Sequence, residues 1–248
     1  MAVQHCRLGV NIDHIGTLRE ARQQGYPDPL RALPLIKEAG ASLVTVHVRE
    51  DRRHMQEDDV RRLMGDHRLP VNLEIAPRQE MVDIAIAHSV DRCCLVPENR
   101  QELTTEGGLD VVSCDDMLVP IVRRLRDVGI HVSLFIEPSL EQVNAAHALS
   151  VDSVELHSGV FARTYRHDAH AFETIRACAA HAHSLGLACH AGHGLSYDSA
   201  SLLARIPHII ELNIGHFLMG EAVFYGLRHV VEHMLCRLKE GRESGIRG

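Results

Sequence analysis

The chain has 248 residues, enough for one large α/β domain or two smaller ones. Its 45% hydrophobic and 24% charged content is ordinary for a soluble globular protein. A formal net charge of −7 argues against nucleic acid or an anionic membrane as the main partner, without forbidding a local basic pocket.

Eight β-rich runs alternate with helical patterns. The runs are Arg7 to Asp13, Leu43 to Arg49, Val71 to Ile75, Arg92 to Val96, His131 to Ile136, Ser153 to His157, Leu187 to Ala191 and Ile209 to Ile214. Helical patterns cover Leu30 to Ala39, Met81 to His88, Met117 to Val128, Glu141 to Leu149, Ala169 to Leu185 and Ala222 to Leu238. Gly129 and Gly186 are suitable C-terminal stops for two of them. Gly16 to Pro29 and Pro97 to Ser113 read as long loops, the kind that often bind or cover ligands.

This rhythm, with no linker or composition break, predicts a single domain spanning 1–248. Its expected class is α/β, a closed parallel (β/α)8 TIM barrel with additional short helices in the loops. A doubly wound open sheet is the alternative, but the early GxGxxG fingerprint it calls for is missing. Seven cysteines, an odd number without a CxxC, argue against a disulfide framework or zinc ribbon and fit a reducing compartment such as the cytoplasm. Met1 to Val10 has no signal-peptide pattern, and no segment reaches transmembrane length.

Function is written where strand residues turn polar. Barrel strands are buried on both faces and are expected to be apolar. Here they finish in Asn11-Ile12-Asp13-His14, His47-Val48-Arg49, Asn72-Leu73-Glu74, Glu155-Leu156-His157, His190-Ala191-Gly192-His193-Gly194 and Asn213-Ile214-Gly215-His216. The period of two puts Asn11 with Asp13, His47 with Arg49, and Asn72 with Glu74 on shared faces. Each polar group buried without a partner costs about 1–3 kcal/mol, so six such strand ends imply a ligand or a catalytic reason. Gly192-His193-Gly194 and Gly215-His216 follow strands seven and eight, the frequent phosphate site of such barrels. Arg49, Arg52, Arg53 and His54, with Arg19 and Arg22, suggest a second anion site; a solvated, charge-balanced helix start explains them equally well.

Of the 19 histidines, those away from strand ends read as surface residues. A metal could use His190 with His193, or Asp13 with His14, but no HExxH-like spacing supports it. No GxSxG elbow points to a serine nucleophile. On the residues alone, a sugar-phosphate isomerase, a metal-dependent lyase and a non-catalytic phosphate sensor stay open beside a general acid–base synthase.

A longer match narrows this. Gly9-Val10-Asn11-Ile12-Asp13-His14-Ile15 with Thr17-Leu18-Arg19, Thr45 to His54, Asn72-Leu73-Glu74, Cys94-Leu95-Val96-Pro97-Glu98, Thr104 to Asp110, Ala191 to Leu195 and Glu211 to His216 together resemble the pyridoxine 5′-phosphate synthase family. The resemblance spans Gly9 to about Gly220. It implies condensation of 3-amino-2-oxopropyl phosphate with 1-deoxy-D-xylulose 5-phosphate, giving pyridoxine 5′-phosphate, phosphate and water. It further implies no metal or organic cofactor and a homo-oligomer, commonly an octamer. By the same resemblance His47 and Glu74 are general bases, His193 a general acid and Glu155 a transition-state stabiliser. Asn11, Arg22, Gly194, Gly215 and His216 would contact the amino-ketone phosphate. Asp13, His14, Arg49, His54 and Thr104 would contact the deoxyxylulose phosphate. The chain departs from the family at His190, where asparagine is usual, at Gly16 for alanine and at Asn99 for lysine. An extra imidazole near His193 is expected to tune the site without changing the reaction.

Overall fold

Alternate residues of a strand face opposite ways, and here both ways lead to buried ground. The computed structural model describes residues 5–98 and 107–247. Strands β1 (Arg7–Asn11), β2 (Leu43–His47), β3 (Val71–Ile75), β4 (Arg92–Leu95), β5 (His131–Ile136), β6 (Ser153–His157), β7 (Ala188–Gly192) and β8 (Ile209–Ile214) are parallel. They close in chain order, β8 pairing with β1, into the expected (β/α)8 barrel.

Eleven helices accompany them among the described residues: α1 (Asp13–Glu20), α2 (Ala32–Ala39), α3 (Glu57–Asp66), α4 (Gln79–Ala87), α5 (Val111–Asp127), α6 (Leu140–Ala148), α7 (Gly159–Thr164), α8 (His170–Ser184), α9 (Tyr197–Leu203), α10 (His216–Tyr225) and α11 (Leu227–Arg247). None is long and apolar enough to cross a membrane. Local chemistry sets several ends. Gln56 and Asp59 form a reciprocal cap on α3, Ser139 accepts the Glu141 amide at the start of α6, and Gly40 ends α2 in the left-handed region at φ 97°.

The outward strand set is apolar. Leu8, Val10, Val46, Leu73, Ile75, Leu134 and Leu156 are fully buried in one continuous core with Leu33 and Ile36 of α2, Leu63 of α3 and Leu118 of α5. The inward set is largely polar, which is unusual for a barrel of this kind, where bulky branched residues normally fill the axis. Glu211 of β8 is 1% exposed, with Oε2 3.0 Å from Arg7 and 3.1 Å from Arg92. Arg92 belongs to β4, so this contact crosses the barrel. His190 Nδ1 lies 3.5 Å from the other Glu211 oxygen. Burial holds His190 down at about 4 despite that carboxylate, so at neutral pH the two arginines compensate the buried charge.

A layer higher, Thr45 Oγ1 of β2 donates to Asn213 Oδ1 of β8 at 3.1 Å, and Asn213 Nδ2 donates to Glu155 Oε2 of β6 at 2.7 Å. Neither pair joins neighbouring strands. Both bonds pass over glycine: a Cβ on Gly9 of β1 would overlap the Asn213 amide, and one on Gly192 of β7 would overlap the Glu155 carboxyl.

Several expectations are corrected. The first strand ends at Asn11, and Asp13 starts α1; the second ends at His47. The long loop expected from Gly16 to Pro29 is shorter than expected: Gly16 to Glu20 are the rest of α1, and a 3-10 turn, Pro29–Arg31, begins at its end. Helix α5 starts at Val111, with Asp110 accepting from the Ser113 amide, and runs through Pro120. The single helix expected from Ala222 to Leu238 is broken at Gly226, whose φ of 80° separates α10 from α11.

Two stability outcomes follow. Gly192→Ala should lower the denaturant midpoint by the equivalent of about 1–3 kcal/mol, as overpacked cores do; an unchanged midpoint would show that Glu155 moves aside freely. An imidazole held neutral by the fold favours folding above its ordinary value near 6.5. That contribution is lost as pH falls through about 4, and it is on the order of 3 kcal/mol for His190. His190→Asn should flatten the loss of stability between those pH values in urea titrations at fixed ionic strength.

Candidate active site at the C-terminal mouth of the barrel

The polar strand ends meet in one cleft of about 610 Å³. His47, Glu74, Glu155 and His193, from β2, β3, β6 and the turn after β7, all line it. Asn11, Asp13, His14, Arg49, His54, Gly194, Gly215 and His216 share the same wall, with Val96, Phe135 and Asn213. One sequence candidate is not brought there, and another is not among the described residues. Arg22 lies on the exposed turn after α1, outside the lining, and Thr104 lies outside the described residues, as does Asn99.

His47 and Glu74 stand opposite each other in the β2–β3 register, with Nδ1 3.9 Å from Glu74 Oε2. The His47 amide donates to Asp13 Oδ1 at 2.7 Å. Asp13 is held in turn by Asn11, whose Nδ2 donates to Oδ2 at 2.8 Å and whose Oδ1 accepts the Asp13 amide at 2.9 Å. The start of α1 is thereby latched to the end of β2. A Cβ on Gly215 would crowd Asn11, so β8 also closes against this corner.

Burial, reinforced by the charges of Glu155 and Asp13, holds the Glu74 carboxyl well above the usual carboxylate range. Burial also raises Glu155, to about 8, against the hydrogen bond from Asn213 and with the charge of Glu211 adding to the rise. Both groups therefore keep a proton far above the pH at which an exposed glutamate loses it. Perturbed carboxyls in a cleft are candidates for proton transfer.

The rim is basic. Arg49 is 2% exposed and lies 4.0 Å from Asp51, which also pairs with Arg53. His14 and His216 meet edge to face, Nε2 to Nδ1 3.3 Å. Burial pushes both His14 and His54 below their ordinary value, favouring neutral imidazoles. After β7, His193 and Gly194 are both left-handed, at φ 81° and 76°. A non-glycine residue in that region is strained, and such strain gathers at ligand-binding turns. Gly215 precedes the first turn of α10, whose free amides favour an anion.

The other suggested arginines are engaged elsewhere. Arg19 makes a forked pair with Asp59, both distances 2.7 Å, and donates to the His54 carbonyl. Arg52 reaches Glu57 and Glu80. Of the metal pairings considered from sequence, the structure instead groups Asp13, His47 and Glu74, with one ligand atom from each within 4.8 Å of the others. A cation there would compete with the donors already bound to Asp13.

Four participants escape assignment by sequence. Glu98 Oε1 lies 2.9 Å from His47 Nε2. Glu137 Oε1 lies 2.8 Å from His157 Nδ1, and the His157 ring packs edge-on to His193, centroids 5.0 Å apart. Asn213 and His157 were visible as polar strand-end residues. Glu98 sits inside the Val96-Pro97-Glu98 motif, but Glu137 carries no signal beyond following a strand.

The family model described as pyridoxal phosphate biosynthesis protein PdxJ matches residues 8–240. Pyridoxine 5′-phosphate synthase of Rhodospirillum rubrum is 49% identical over 97% of both chains. The enzyme of that name from Ruegeria pomeroyi is 46% identical, covering 98% of this chain and 100% of its own. Among solved structures, 3-keto-L-gulonate-6-phosphate decarboxylase from Vibrio cholerae superposes with a TM-score of 0.67 at 9% identity, over 95% of this chain and 98% of that one, a likeness of fold alone. With a family model across nearly its whole length and relatives at almost half identity, the chain belongs to the PdxJ family of pyridoxal phosphate biosynthesis proteins.

Proposed function

We propose that this protein is a pyridoxine 5′-phosphate synthase, condensing 3-amino-2-oxopropyl phosphate with 1-deoxy-D-xylulose 5-phosphate to pyridoxine 5′-phosphate, phosphate and water. The observation that carries the reading is the gathering of His47, Glu74, Glu155 and His193 in one cleft with a basic, glycine-bearing rim. Family membership selects this reaction over the isomerase, lyase and sensor readings.

The chemistry is a series of proton transfers around carbonyls: imine formation, loss of water and phosphate, enolisation and ring closure. His47 takes protons from carbon or nitrogen, Glu74 does so from its ionised fraction, which its raised pKa keeps small but strongly basic, and His193 gives one to a departing oxygen. Such transfers from placed groups contribute about 10²–10⁴-fold each. Glu155, protonated and oriented by Asn213, donates a hydrogen bond to oxygen as negative charge develops. The Gly194 turn, Gly215, His216 and Asn11 hold the amino-ketone phosphate. Arg49, His54, His14 and Asp13 hold the sugar phosphate, the arginine through its forked donors. Thr104 joins them by resemblance. Arg22 is left out of the assignment, because it lies outside the cleft lining. Fixing both substrates in one cleft supplies the orientation term. We further read the chain as a single-domain cytoplasmic enzyme that assembles as a homo-octamer and needs no cofactor.

Incubating the pure protein with both phosphates should yield a product with the mass of pyridoxine 5′-phosphate without added metal; a folded protein giving none refutes the assignment. His47→Ala should cut kcat by about 10²–10⁴-fold while the circular dichroism spectrum is kept. Glu74→Gln should do the same with little change in stability, because the carboxyl it replaces is already neutral over much of the pH range. Turnover within about threefold of the parent would remove that residue from the mechanism.

A further inference from the structure

The proton on His47 has a definite address. His47 Nε2 lies 2.9 Å from Glu98 Oε1, and the other Glu98 oxygen accepts the Glu50 amide at 3.0 Å. The Glu98 side chain is 3% exposed and that of His47 is 6% exposed, so water competes little for either bond. The hydrogen bond from His47, with the Glu50 amide and the nearby charge of Arg49, offsets burial and holds Glu98 below the usual carboxylate range. An ionised carboxylate only accepts, so Nε2 must be the donor. The other ring nitrogen, Nδ1, is on the Glu74 side, 3.9 Å from its Oε2.

We propose that Glu98 is a positioning residue for the reaction: it fixes His47 with hydrogen on Nε2, making Nδ1 the atom that accepts a proton from substrate. The inference rests on the reading of His47 as a base. Which nitrogen of a histidine is free to act is set by the bond the other one makes. Two further contacts complete the clamp. The His47 amide is tied to Asp13, so backbone and ring tip are held from different elements. The Glu50 amide fixes the second Glu98 oxygen, so the carboxylate cannot rotate away without leaving a donor unmet.

That double duty makes the requirement specific to a carboxylate. A glutamine at 98 has one oxygen to face two donors. Turned to accept from Nε2–H, it points its NH2 at the Glu50 amide. Turned the other way, it offers NH2 to Nε2 and favours hydrogen on Nδ1, which silences the proposed base.

The test has two arms. Nitrogen-15 spectra of histidine-labelled wild-type protein, with His47 assigned by comparison with His47→Ala, should show hydrogen on Nε2 at neutral pH. Hydrogen on Nδ1 overturns the inference whatever the variants do. In the second arm Glu98→Gln should lower kcat by about 10²-fold while KM for each phosphate stays within about threefold, the signature of a lost transition-state contribution. It should also move hydrogen from Nε2 toward Nδ1 in the same spectra. A variant with near-parental kcat, or with KM raised and kcat kept, overturns the positioning role. Should Glu98→Gln fail to fold, the wild-type spectrum still decides the tautomer. A wild-type protein that makes no product sinks the proposed function, and the catalytic use of Nδ1 with it; a wild-type Nδ1–H tautomer sinks this inference alone.

Discussion

A barrel whose axis is lined with polar groups must satisfy them internally, and the bond from Asn213 to Glu155 is where that constraint bears hardest. Asn213 accepts from Thr45 on one side and donates to Glu155 on the other, so its amide has a single consistent orientation. Glu155 in turn stands at the foot of the cleft. Removing either partner would leave a buried donor or acceptor unmet, at about 1–3 kcal/mol. The lattice below, with Glu211 held by Arg7 and Arg92, obeys the same rule with full charges. Position and protonation in the cleft are thus consequences of how the barrel interior is filled.

The mouth shows a second regularity. Two histidines each have one ring nitrogen directed at a glutamate that follows another strand: His47 of β2 at Glu98 after β4, and His157 of β6 at Glu137 after β5. Glu98 and Glu137 border the long β4–α5 connection in space: Glu98 begins it, and Glu137 accepts the Gly108 amide near its end. Imidazole orientation is therefore set by carboxylates outside the strands that carry the imidazoles. This separates the residue that faces the cleft from the residue that aims it.

The barrel was legible because each strand is a short β-rich run between helical patterns, and the cleft because polar residues recur where apolar ones belong. Asn11, His47, Glu74 and Glu155 needed nothing further. What escaped depends on three dimensions. Asp13 reads by period as a strand residue, yet it caps the corner between β1 and β2 from the first turn of a helix. The arginines near 19 and 52 look alike in sequence, but Asp59 claims Arg19, and Glu57 and Glu80 claim Arg52. Arg22 matches a family motif while its side chain stands in solvent. Ala222 to Leu238 has an unbroken apolar rhythm, and only the backbone at Gly226 reveals the break. Pairings between distant residues leave no periodic trace, so periodicity could not have found them.

The closing seam between β1 and β8 carries an implication for biosynthesis of the enzyme itself. Gly215 packs on Asn11, and Arg7 is matched by Glu211, residues some two hundred positions apart. On a ribosome the first strand emerges long before the last, so Arg7 and the Asn11–Asp13 corner wait for the final strand. Contacts this remote in sequence form late and slow the approach to the native state. A nascent or prematurely terminated chain would hold most of the helices and strands yet have no finished cleft, so a partial product would lack the site that the last strand completes.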